Sequence, residues 1–346
     1  MPKKTSLQDI ADRLGLSKTT VSWTLSGQGD AKGVKQETQE KVRQCAKEMN
    51  YRPNLLARSL WHGLSDILGL IIPDITDSFF STIARQIELE AKTKGYSLMI
   101  ASSESDQERE DELLSTFRDR QVDGIIIAPT QHSDLKIKAM LKEGYPITVI
   151  DRIFPELDVN SVSVNNRQAS RDIISDMLQQ GARHIAFITT NPDVYTMRER
   201  YLGYQDALAA YGLSADERLF GNVEFQHYED MLTRVMDGIL QDMPEVDAFF
   251  FTTHVLAIEA FHYFTERGIP YNTLYQLGCI HATSAFRVMA PDIRVARMPV
   301  DTIGSQAVSL LIDNINRHHA GEVCPPQNIT LDCTYPCDLN QFGNRK

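Results

Sequence analysis

From Ile67 onward, short apolar runs alternate with segments whose apolar residues recur every three to four positions. The first three runs are ILGLIIPD, YSLMIASS and VDGIIIAPT, and a helical pattern follows each of them. Continuous apolar runs are typical of strands in a sheet that helices cover on both faces. The alternation therefore predicts an α/β body built from doubly wound parallel sheets.

The alternation then repeats, which predicts two similar lobes. The second series has the apolar runs ARHIAFITT, DAFFFTT and YQLGCIHA, and the chain continues with a strand RVARMPV, a helix over 302–319 and a strand NITLDCTY. Ligands of open α/β sheets bind at the carboxyl ends of the strands. We therefore expect a small-molecule site in a cleft between the lobes.

The first 50 residues have a purely helical pattern. The apolar positions of LQDIADRL have the spacing of one helical face, with Ser6 placed to cap that helix and Gly15 to end it. Ser17 can cap a second short helix in which Val21 and Leu25 face inward. A third amphipathic segment presents Thr38, Val42, Cys45, Ala46 and Met49 on one face. This arrangement predicts a small all-α helix-turn-helix domain.

The outward side of the second helix carries Lys18, Thr19, Ser22 and Trp23. Short polar and cationic side chains reach base edges and phosphates when a helix lies in the major groove. The pattern favours a DNA-binding helix, with a generic helical hairpin as the alternative.

Charge separates the same two regions. The formal charge of the chain is −11, but residues 1–61 hold eleven Lys and Arg against six Asp and Glu, which leaves 24 basic and 40 acidic residues beyond them. The head is therefore +5 and the body −16. Because an acidic body repels phosphates, a nucleic acid is expected to bind the head alone. On charge alone, an ordinary solvated surface is an equal alternative.

Several motifs occur in order along the head: LQDIA at Leu7–Ala11, Val21-Ser22, YRPN at Tyr51–Asn54 and ARSL at Ala57–Leu60. In this combination and spacing the head resembles the lactose-repressor/galactose-repressor (LacI/GalR) family of bacterial transcription regulators. The resemblance implies that the second helix reads the major groove of bound DNA and that a hinge helix enters the minor groove.

The resemblance also implies a domain organisation. Residues 1–52 are expected to form the helix-turn-helix domain, 53–64 the hinge helix and linker, and 65–340 an effector-binding and dimerisation domain. That body is expected to be periplasmic-binding-protein-like, with a chain that crosses between the lobes three times. The expected N-lobe is about 65–164 plus 295–325, and the expected C-lobe is about 165–294 plus 326–340.

The resemblance assigns roles to residues of the head. It implies base contacts from the second helix, backbone contacts around it and an apolar wedge at Leu60 between base steps. The candidate DNA-binding residues are Ser6, Lys18, Thr19, Thr20, Ser22, Trp23, Tyr51, Asn54, Arg58 and Leu60.

Two features of the head depart from the commoner family pattern. Trp61 stands where a lysine often follows the leucine, and the loop at 26–34 is long for the family. Lys32 and Lys35 in and after this loop either add phosphate contacts or belong to the solvated surface.

Candidate effector contacts are the polar and aromatic residues near the ends of the predicted strands. By position and by resemblance they are Asp77, Phe79, Ser103, Asp151, Thr196, Arg200, Phe225, His254 and His281. Two positions break the family pattern, because Thr253-His254 and Gly278-Cys279-Ile280 lack the carboxylates that many members have there. The effector class therefore does not transfer from the family.

Three effector classes stay open. Arg200, His254 and His281 favour an anionic sugar derivative, such as a sugar phosphate or uronic acid, bound more tightly at pH 6 than at pH 8. A neutral sugar that uses Asp77 and Asp151 is equally compatible, and a nucleobase or other metabolite is the third class.

Other functions have less support. The sequence has no GxSxG, HExxH, GxxxxGK[ST] or strand-following GxGxxG motif, and its five cysteines form no CxxC pair. We therefore expect no catalysis, no metal and no cofactor. The N-terminal residues MPKKTSLQDIADRLG have no apolar run, and no membrane-length apolar run follows.

These observations predict a cytoplasmic regulator, most simply a repressor. A homodimer that reads a palindromic operator is expected, because one short helix and one hinge make too few base contacts. The rival functions are a solute-binding protein without gene control and a sugar-modifying α/β enzyme. The missing signal peptide and the basic head oppose the first, and the missing catalytic motifs oppose the second.

Overall fold

The computed structural model describes residues 5–51, 63–130, 134–224, 228–322 and 325–339. They belong to two compact units, Met1–Ser65 and Asp66–Lys346. Four of the predicted contact residues lie outside the described part of the chain, namely Asn54, Arg58, Leu60 and Phe225.

The first unit contains three helices, α1 (Leu7–Leu14), α2 (Lys18–Leu25) and α3 (Gln36–Glu48). Ser6 and Asp9 form a capping box at the start of α1, and Gly15 ends this helix at a φ of 63°. The helices enclose a small core of Ile10, Ala11, Val21, Val42, Cys45 and Ala46. The predicted three-helix arrangement is therefore present.

The first lobe of the body begins the second unit. Its elements are β1 (Ile67–Ile72), α4 (Ser78–Thr93), β2 (Ser97–Ser102), α5 (Gln107–Asp119), β3 (Gly124–Ile127), α6 (Asp134–Lys142), β4 (Ile147–Ile150) and β5 (Asn160–Val164). β1, β3 and β4 are almost wholly buried, as their apolar runs predict. β2 is half-exposed because it lies at the edge of the sheet.

The second lobe continues the alternation. Its elements are α7 (Asn166–Gln179), β6 (Ile185–Thr189), α8 (Tyr195–Ala210), β7 (Phe220–Asn222), α9 (Tyr228–Asp242), β8 (Ala248–Phe251), α10 (His254–Glu266), α11 (Tyr271–Leu274), β9 (Gln276–Ile280), α12 (Phe286–Met289) and β10 (Arg294–Ala296). One side of this sheet packs on an aromatic core, which includes Phe249, Phe251, Phe261, Phe264 and Phe286. The last two elements are α13 (Val300–His319) and β11 (Asn328–Leu331).

Both sheets are parallel. The first has the order β11-β5-β4-β3-β1-β2 and the second the order β10-β9-β8-β6-β7, and every recorded strand pair runs in parallel register. The predicted fold class, two doubly wound lobes preceded by an all-α domain, is confirmed.

The division of the C-terminal segment between the lobes differs from the prediction. β10 pairs with β9 in the second sheet, whereas residues 295–325 were expected in the N-lobe. β11 pairs with β5 in the first sheet, whereas residues 326–340 were expected in the C-lobe. Helix α13 explains the second difference, because it packs on β3, β4 and β5 and a short connection then brings the chain to the edge beside β5.

Three chain segments connect the lobes, as the family resemblance implies. They follow β5, β10 and β11, and the second and third are joined by an antiparallel bridge between Arg297 and Thr334. Each of these residues donates its backbone N–H to the other's carbonyl oxygen at 2.9 Å.

Helices α7 and α8 pack unusually closely, and Gly203 makes this possible. We expect Gly203→Ala to lower the free energy of unfolding by about 1–3 kcal/mol, because its Cβ would overlap the backbone carbonyl oxygen of Arg167. Urea unfolding followed by circular dichroism measures this change.

The matched control is Gly238→Ala, a second glycine inside a helix. No atom lies within 4 Å of a Cβ added there, so this substitution should raise the free energy of unfolding by about 0.5–1 kcal/mol. A Gly203→Ala protein as stable as the wild type would contradict the close helix contact.

Candidate functional site

The candidate DNA-binding surface is the outward side of α2. Ser17 caps this helix by accepting a hydrogen bond from the backbone N–H of Thr20 at 3.0 Å, and the two hydroxyls lie 2.8 Å apart. Val21 and Thr24 are the buried residues of the helix. Lys18 and Thr19 are exposed next to this cap.

The remaining predicted DNA contacts are more enclosed. Thr20, Ser22, Trp23 and Tyr51 are half-buried. The hydroxyl of Ser6 both donates to the Asp9 carboxylate at 2.7 Å and accepts from the Asp9 backbone N–H at 3.2 Å. Its first task is therefore to cap α1, and its contact with DNA stays a prediction.

The candidate effector site lies at the carboxyl ends of strands in both lobes. In the first lobe, Asp77 precedes α4 and accepts a hydrogen bond from the backbone N–H of Phe79 at 2.7 Å. Asp151 follows β4 and is 7% exposed. Ser103 follows β2, and its hydroxyl donates to the carbonyl oxygen of Ile72 in the same lobe at 3.4 Å.

His254 connects the two lobes. It begins α10 of the second lobe, and its Nε2 lies 3.0 Å from the hydroxyl of Ser78 and 3.5 Å from Oδ1 of Asp77, both in the first lobe. The imidazole is almost fully buried. This direct contact between the lobes is absent from the predicted roles of His254, which sequence analysis treated only as a ligand contact.

A row of three rings accompanies this contact. The His281 ring packs edge-on against Phe79 of the first lobe at a centroid distance of 5.2 Å. It also packs edge-on against His254 at 5.5 Å. Polar contacts of His254 and an aromatic contact of His281 thus join the two lobes at the same strand ends.

Asp151 and His281 have unusual backbone conformations. Their φ angles are 61° and 62°, in the left-handed region that non-glycine residues seldom adopt. Each backbone N–H donates to the neighbouring strand, that of Asp151 to Val162 and that of His281 to Ala296. The sheets thus hold both side chains at strained positions, which is common at binding sites.

Arg200 is buried and held within the second lobe. Its Nε donates to Oδ1 of Asn166 at 2.8 Å, its Nη1 donates to the carbonyl oxygen of Thr252, and its Nη2 contacts the sulfur of Met298. Burial raises the pKa of Asp151, and the positive charge of Arg200 opposes that shift.

Several polar atoms near these strand ends are buried and have no hydrogen-bond partner among the described residues. They are Oδ1 of Asp151, Nδ1 of His281, and the hydroxyls of Thr190 and Thr196. A buried polar atom without a partner costs about 1–3 kcal/mol. These four atoms are therefore available to hydrogen-bond a polar ligand.

The charge state of the histidines differs from the expectation. Burial, together with the nearby His254 and Arg200, lowers the pKa of His281 to about 3. Burial also lowers the pKa of His254, against the opposing effect of Asp77. His281 therefore stays neutral between pH 6 and pH 8 and gives no tightening of anion binding at pH 6, contrary to the expectation for this residue.

Sequence reasoning missed several residues of the site. Ser78 is the partner of His254, Asn166 fixes Arg200, and Thr190 supplies a buried hydroxyl. Ser78 and Thr190 lie beside strand ends, which was an available signal. Asn166 gave no such signal, because the sequence pattern did not reveal β5 or the helix that follows it.

Two general observations limit other kinds of site. Within the described residues, no cluster of three or more His, Cys, Asp or Glu side chains has the arrangement to hold a metal ion. In the same part of the chain, no helix is long and apolar enough to cross a membrane.

The low pKa of His281 makes stability depend on pH. An unfolded histidine takes up a proton near pH 6.5, whereas His281 in the folded protein does so only near pH 3. Stability is therefore lost as the pH falls below about 6.5. We expect His281→Gln to remove about 2 kcal/mol of the loss in unfolding free energy between pH 7.5 and pH 5.

Urea unfolding at the two pH values measures this effect. The control is His319→Gln, because His319 is exposed at the end of α13 and should leave the pH dependence unchanged. A His281→Gln protein with the pH dependence of the wild type would contradict the neutral, buried imidazole.

Two family profiles match the chain. "Bacterial regulatory proteins, lacI family" matches residues 6–54, and "Periplasmic binding proteins and sugar binding domain of LacI family" matches residues 65–336. Together they cover the helical head and nearly the whole two-lobed body.

Individual relatives match about nine tenths of this chain and of their own length. The ribose operon repressor of Halalkalibacterium halodurans is 29% identical over 318 residues, which are 90% of this chain and 91% of the relative. Catabolite control protein A of Staphylococcus xylosus is 28% identical over 318 residues, 92% and 94% of the two chains.

Solved structures share the fold. The transcriptional regulator CelR in its cellobiose complex has a TM-score of 0.69 and 24% identity, covering 96% of this chain and 98% of that one. The Cra regulator of Pseudomonas putida with fructose 1-phosphate also has a TM-score of 0.69 and 24% identity, covering 78% and 97%. With its helix-turn-helix head and its two-lobed body of the periplasmic-binding-protein type, the chain belongs to the LacI family of bacterial transcription regulators.

Proposed function

We propose that this chain is a homodimeric repressor that binds a palindromic operator through residues 1–64. Binding of a neutral carbohydrate either lowers or raises its affinity for the operator. The carbohydrate binds between the lobes at the carboxyl ends of the strands. The observation that carries the effector class is the set of four buried polar atoms that have no hydrogen-bond partner among the described residues, together with the neutral imidazole of His281.

The DNA-binding part of the proposal is supported by α2 and by the charge of the head. Lys18 and Thr19 are exposed beside the cap of this helix. The head carries +5 and the body −16, so phosphates are attracted to the head and repelled by the body. Because the recognition helix has only eight residues, a two-fold dimer is needed to read a site of useful length.

The predicted hinge contributes further contacts. Asn54, Arg58 and Leu60 are proposed to bind DNA on the basis of the family motif alone, since they lie outside the described residues. A DNA target also places the proposed site of action in the cytoplasm. The relatives named above are regulators, and we propose no catalytic activity for the cleft.

The charges of the site favour a neutral effector over an anionic one. The guanidinium of Arg152 lies in the field of the carboxyl groups of Asp151, Glu110 and Asp77, and the guanidinium of Arg200 lies in that of Asp151. Arg200 already donates two hydrogen bonds inside its lobe. The histidines add no positive charge near neutral pH, so a phosphate would find little cationic compensation.

A sugar matches the rest of the site. Each sugar hydroxyl both donates and accepts hydrogen bonds, as the carboxylate of Asp151, the imidazole of His281 and the two threonine hydroxyls require. The apolar face of a sugar ring can pack on Phe79. Solved relatives of this fold hold cellobiose in one case and fructose 1-phosphate in another. The fold therefore does not determine whether the effector is neutral or anionic, and we base the effector class on the charges of this chain.

Our first test asks whether DNA binds the head and not the body. Lys18→Ala should weaken operator binding by about 1–3 kcal/mol, because the side chain is placed to contact a base edge. Lys138→Ala is the control, since Lys138 is exposed on the acidic body and should bind operator as the wild type does.

Operator DNA is selected from a random duplex pool, and the affinities are then measured by fluorescence anisotropy. A selected operator that both variants bind equally well would contradict the assignment of DNA binding to the exposed side of α2. A wild-type chain that selects no sequence would contradict the regulatory function itself.

The second test concerns the effector. Calorimetric titration of neutral mono- and disaccharides, beside their phosphates and uronic acids, should give tight binding of a neutral sugar. Its dissociation constant should change less than about twofold between pH 6 and pH 8, because the sugar carries no charge and His281 is neutral over this range. Binding of only the phosphorylated or oxidised sugars would contradict the neutral class.

Thr196→Val sharpens this test. It removes a buried hydroxyl that has no hydrogen-bond partner within the described part of the chain, so stability without sugar should not fall while sugar affinity drops about tenfold. Thr148→Val is the matched control, because the hydroxyl of Thr148 is also buried and unpartnered but lies within β4. Equal sugar affinity in both variants would place Thr196 outside the binding site.

A further inference from the structure

The loop between α2 and α3, residues 26–34, has a defined conformation. The backbone N–H of Gln28 donates to the carbonyl oxygen of Trp23 at 2.8 Å, and that of Lys32 donates to Gln28 at 3.0 Å. A further bond of 2.8 Å runs from the N–H of Val34 to the carbonyl oxygen of Gly29. We call this segment the Lys32 loop.

The side chain of Gln39, in α3, holds the Lys32 loop in place through hydrogen bonds. Its side chain is 1% exposed, and its Nε2 donates to Oδ1 of Asp30 at 2.8 Å and to the carbonyl oxygen of Val34 at 2.9 Å. Its Oε1 accepts from Nη2 of Arg43 at 2.9 Å. The buried amide is therefore fully used in holding the loop on α3.

Gly29 allows the loop to approach this amide. A Cβ added at Gly29 would come within 2.5 Å of Cδ of Gln39, so only glycine permits the observed distance. The loop's one carboxylate, Asp30, accepts hydrogen bonds from the side chains of Gln36 and Gln39 at 2.8 Å each. Both partners belong to α3, which directs this negative charge toward α3.

The loop places a cation next to the recognition helix. Nζ of Lys32 lies 5.8 Å from the ring centroid of Trp23, within the range of a cation–π contact. Trp23 follows Thr19 by one helical turn on the outward side of α2. The Lys32 side chain is exposed, so its ammonium group remains accessible to an anion while the indole restricts its position.

We propose that the Lys32 loop is a second DNA-contacting element, in which Lys32 binds a backbone phosphate and Gln39 is its positioning residue. The inference rests on the proposed DNA-binding function. A phosphate is the fitting target because a lysine ammonium is a point charge that neutralises phosphates without reading bases. Trp23 then has a double role, as a candidate base contact and as the support of Lys32.

The experiment measures operator affinity of the full chain by fluorescence anisotropy between 50 and 200 mM salt. Each phosphate that a protein neutralises adds about 0.9 to the slope of log affinity against log salt. Lys32→Ala should therefore reduce the slope by about one per protomer, or about two for a dimer on its operator. It should reduce affinity for unrelated duplex DNA to a similar extent.

Lys41→Ala is the control. Lys41 is an exposed lysine of the same unit, but it pairs with Glu37 and lies beside Arg13 and Leu14 at the end of α1. This variant should keep the wild-type slope. A Lys32→Ala slope equal to that of the wild type would overturn the inference, whereas a wild-type chain without operator binding would overturn the proposed function.

A second set of variants tests whether Gln39 influences the salt dependence of operator binding by positioning Lys32. Gln39→Leu keeps the volume but removes the hydrogen bonds, so it should lower the salt slope although it removes no charge. The double variant Lys32→Ala/Gln39→Leu should have the slope of Lys32→Ala alone. Additive losses, or a wild-type slope in Gln39→Leu, would show that Gln39 does not position Lys32.

A second readout does not depend on DNA. Trp23 and Trp61 are the two tryptophans of the chain, so a Trp61→Phe background leaves Trp23 as the only indole. Lys32→Ala should change the emission of Trp23, and Gln39→Leu should reproduce that change. If Gln39→Leu unfolds the head, Gly29→Ala serves as a second variant, because its Cβ displaces the loop and should give the same change in emission. An emission of Trp23 that is unchanged in all three variants would contradict the cation–π contact.

Discussion

The parallel direction of the strands is the constraint on which the candidate site depends. Each recorded pair in both sheets is parallel, so the strands of one sheet all end at the same edge. Polar residues that cannot enter the apolar strands follow these ends, as Asp151 and His281 do. The sheet network holds both at positive φ angles. The site thus results from strand direction, and residues far apart in sequence meet there without any local motif.

The contact of His254 with Ser78 limits how strongly the protein itself can hold its lobes together. Burial lowers the pKa of the imidazole, which favours its neutral form. A neutral hydrogen bond contributes about 0.5–1.5 kcal/mol, and the edge-on contact of His281 with Phe79 adds a similar amount. Such a contact biases the lobe arrangement by a factor of ten to a hundred at most. A ligand with several hydrogen bonds to both lobes can therefore outweigh it.

The sequence predicted the parts of the structure that local pattern controls. Helix caps such as Ser6 and Ser17, and the buried strands β1, β3 and β8, follow from spacing and composition. The strand Asn160–Val164 was missed, because its alternating serines interrupt the apolar run that buried strands usually have. The lobe that β11 joins is set by pairing with a distant edge, and no residue of β11 encodes this choice by itself.

The low pKa of His281 and the role of Gln39 were missing from the prediction for a related reason. A histidine near a strand end looks like a potential cation until its burial is known, and burial depends on Phe79 and on the second lobe. Gln39 lies on the buried side of α3 with Val42 and Ala46, but its polar side chain interrupts the apolar pattern of that face. Its three hydrogen bonds exist because the long loop folds over it. Both properties come from tertiary contacts between segments that pattern analysis treats separately.

The charge asymmetry connects the two ligand classes. A body of −16 lowers the local concentration of every anion around it, which confines DNA to the basic head. The same field acts on small anions that approach the cleft, so a sugar phosphate would meet a repulsive surface and then a site whose guanidinium groups are balanced by carboxylates. A neutral sugar meets neither obstacle. The proposed function thus explains both ligand classes by one distribution of charge, with a polyanion at the head and an uncharged ligand in the other unit.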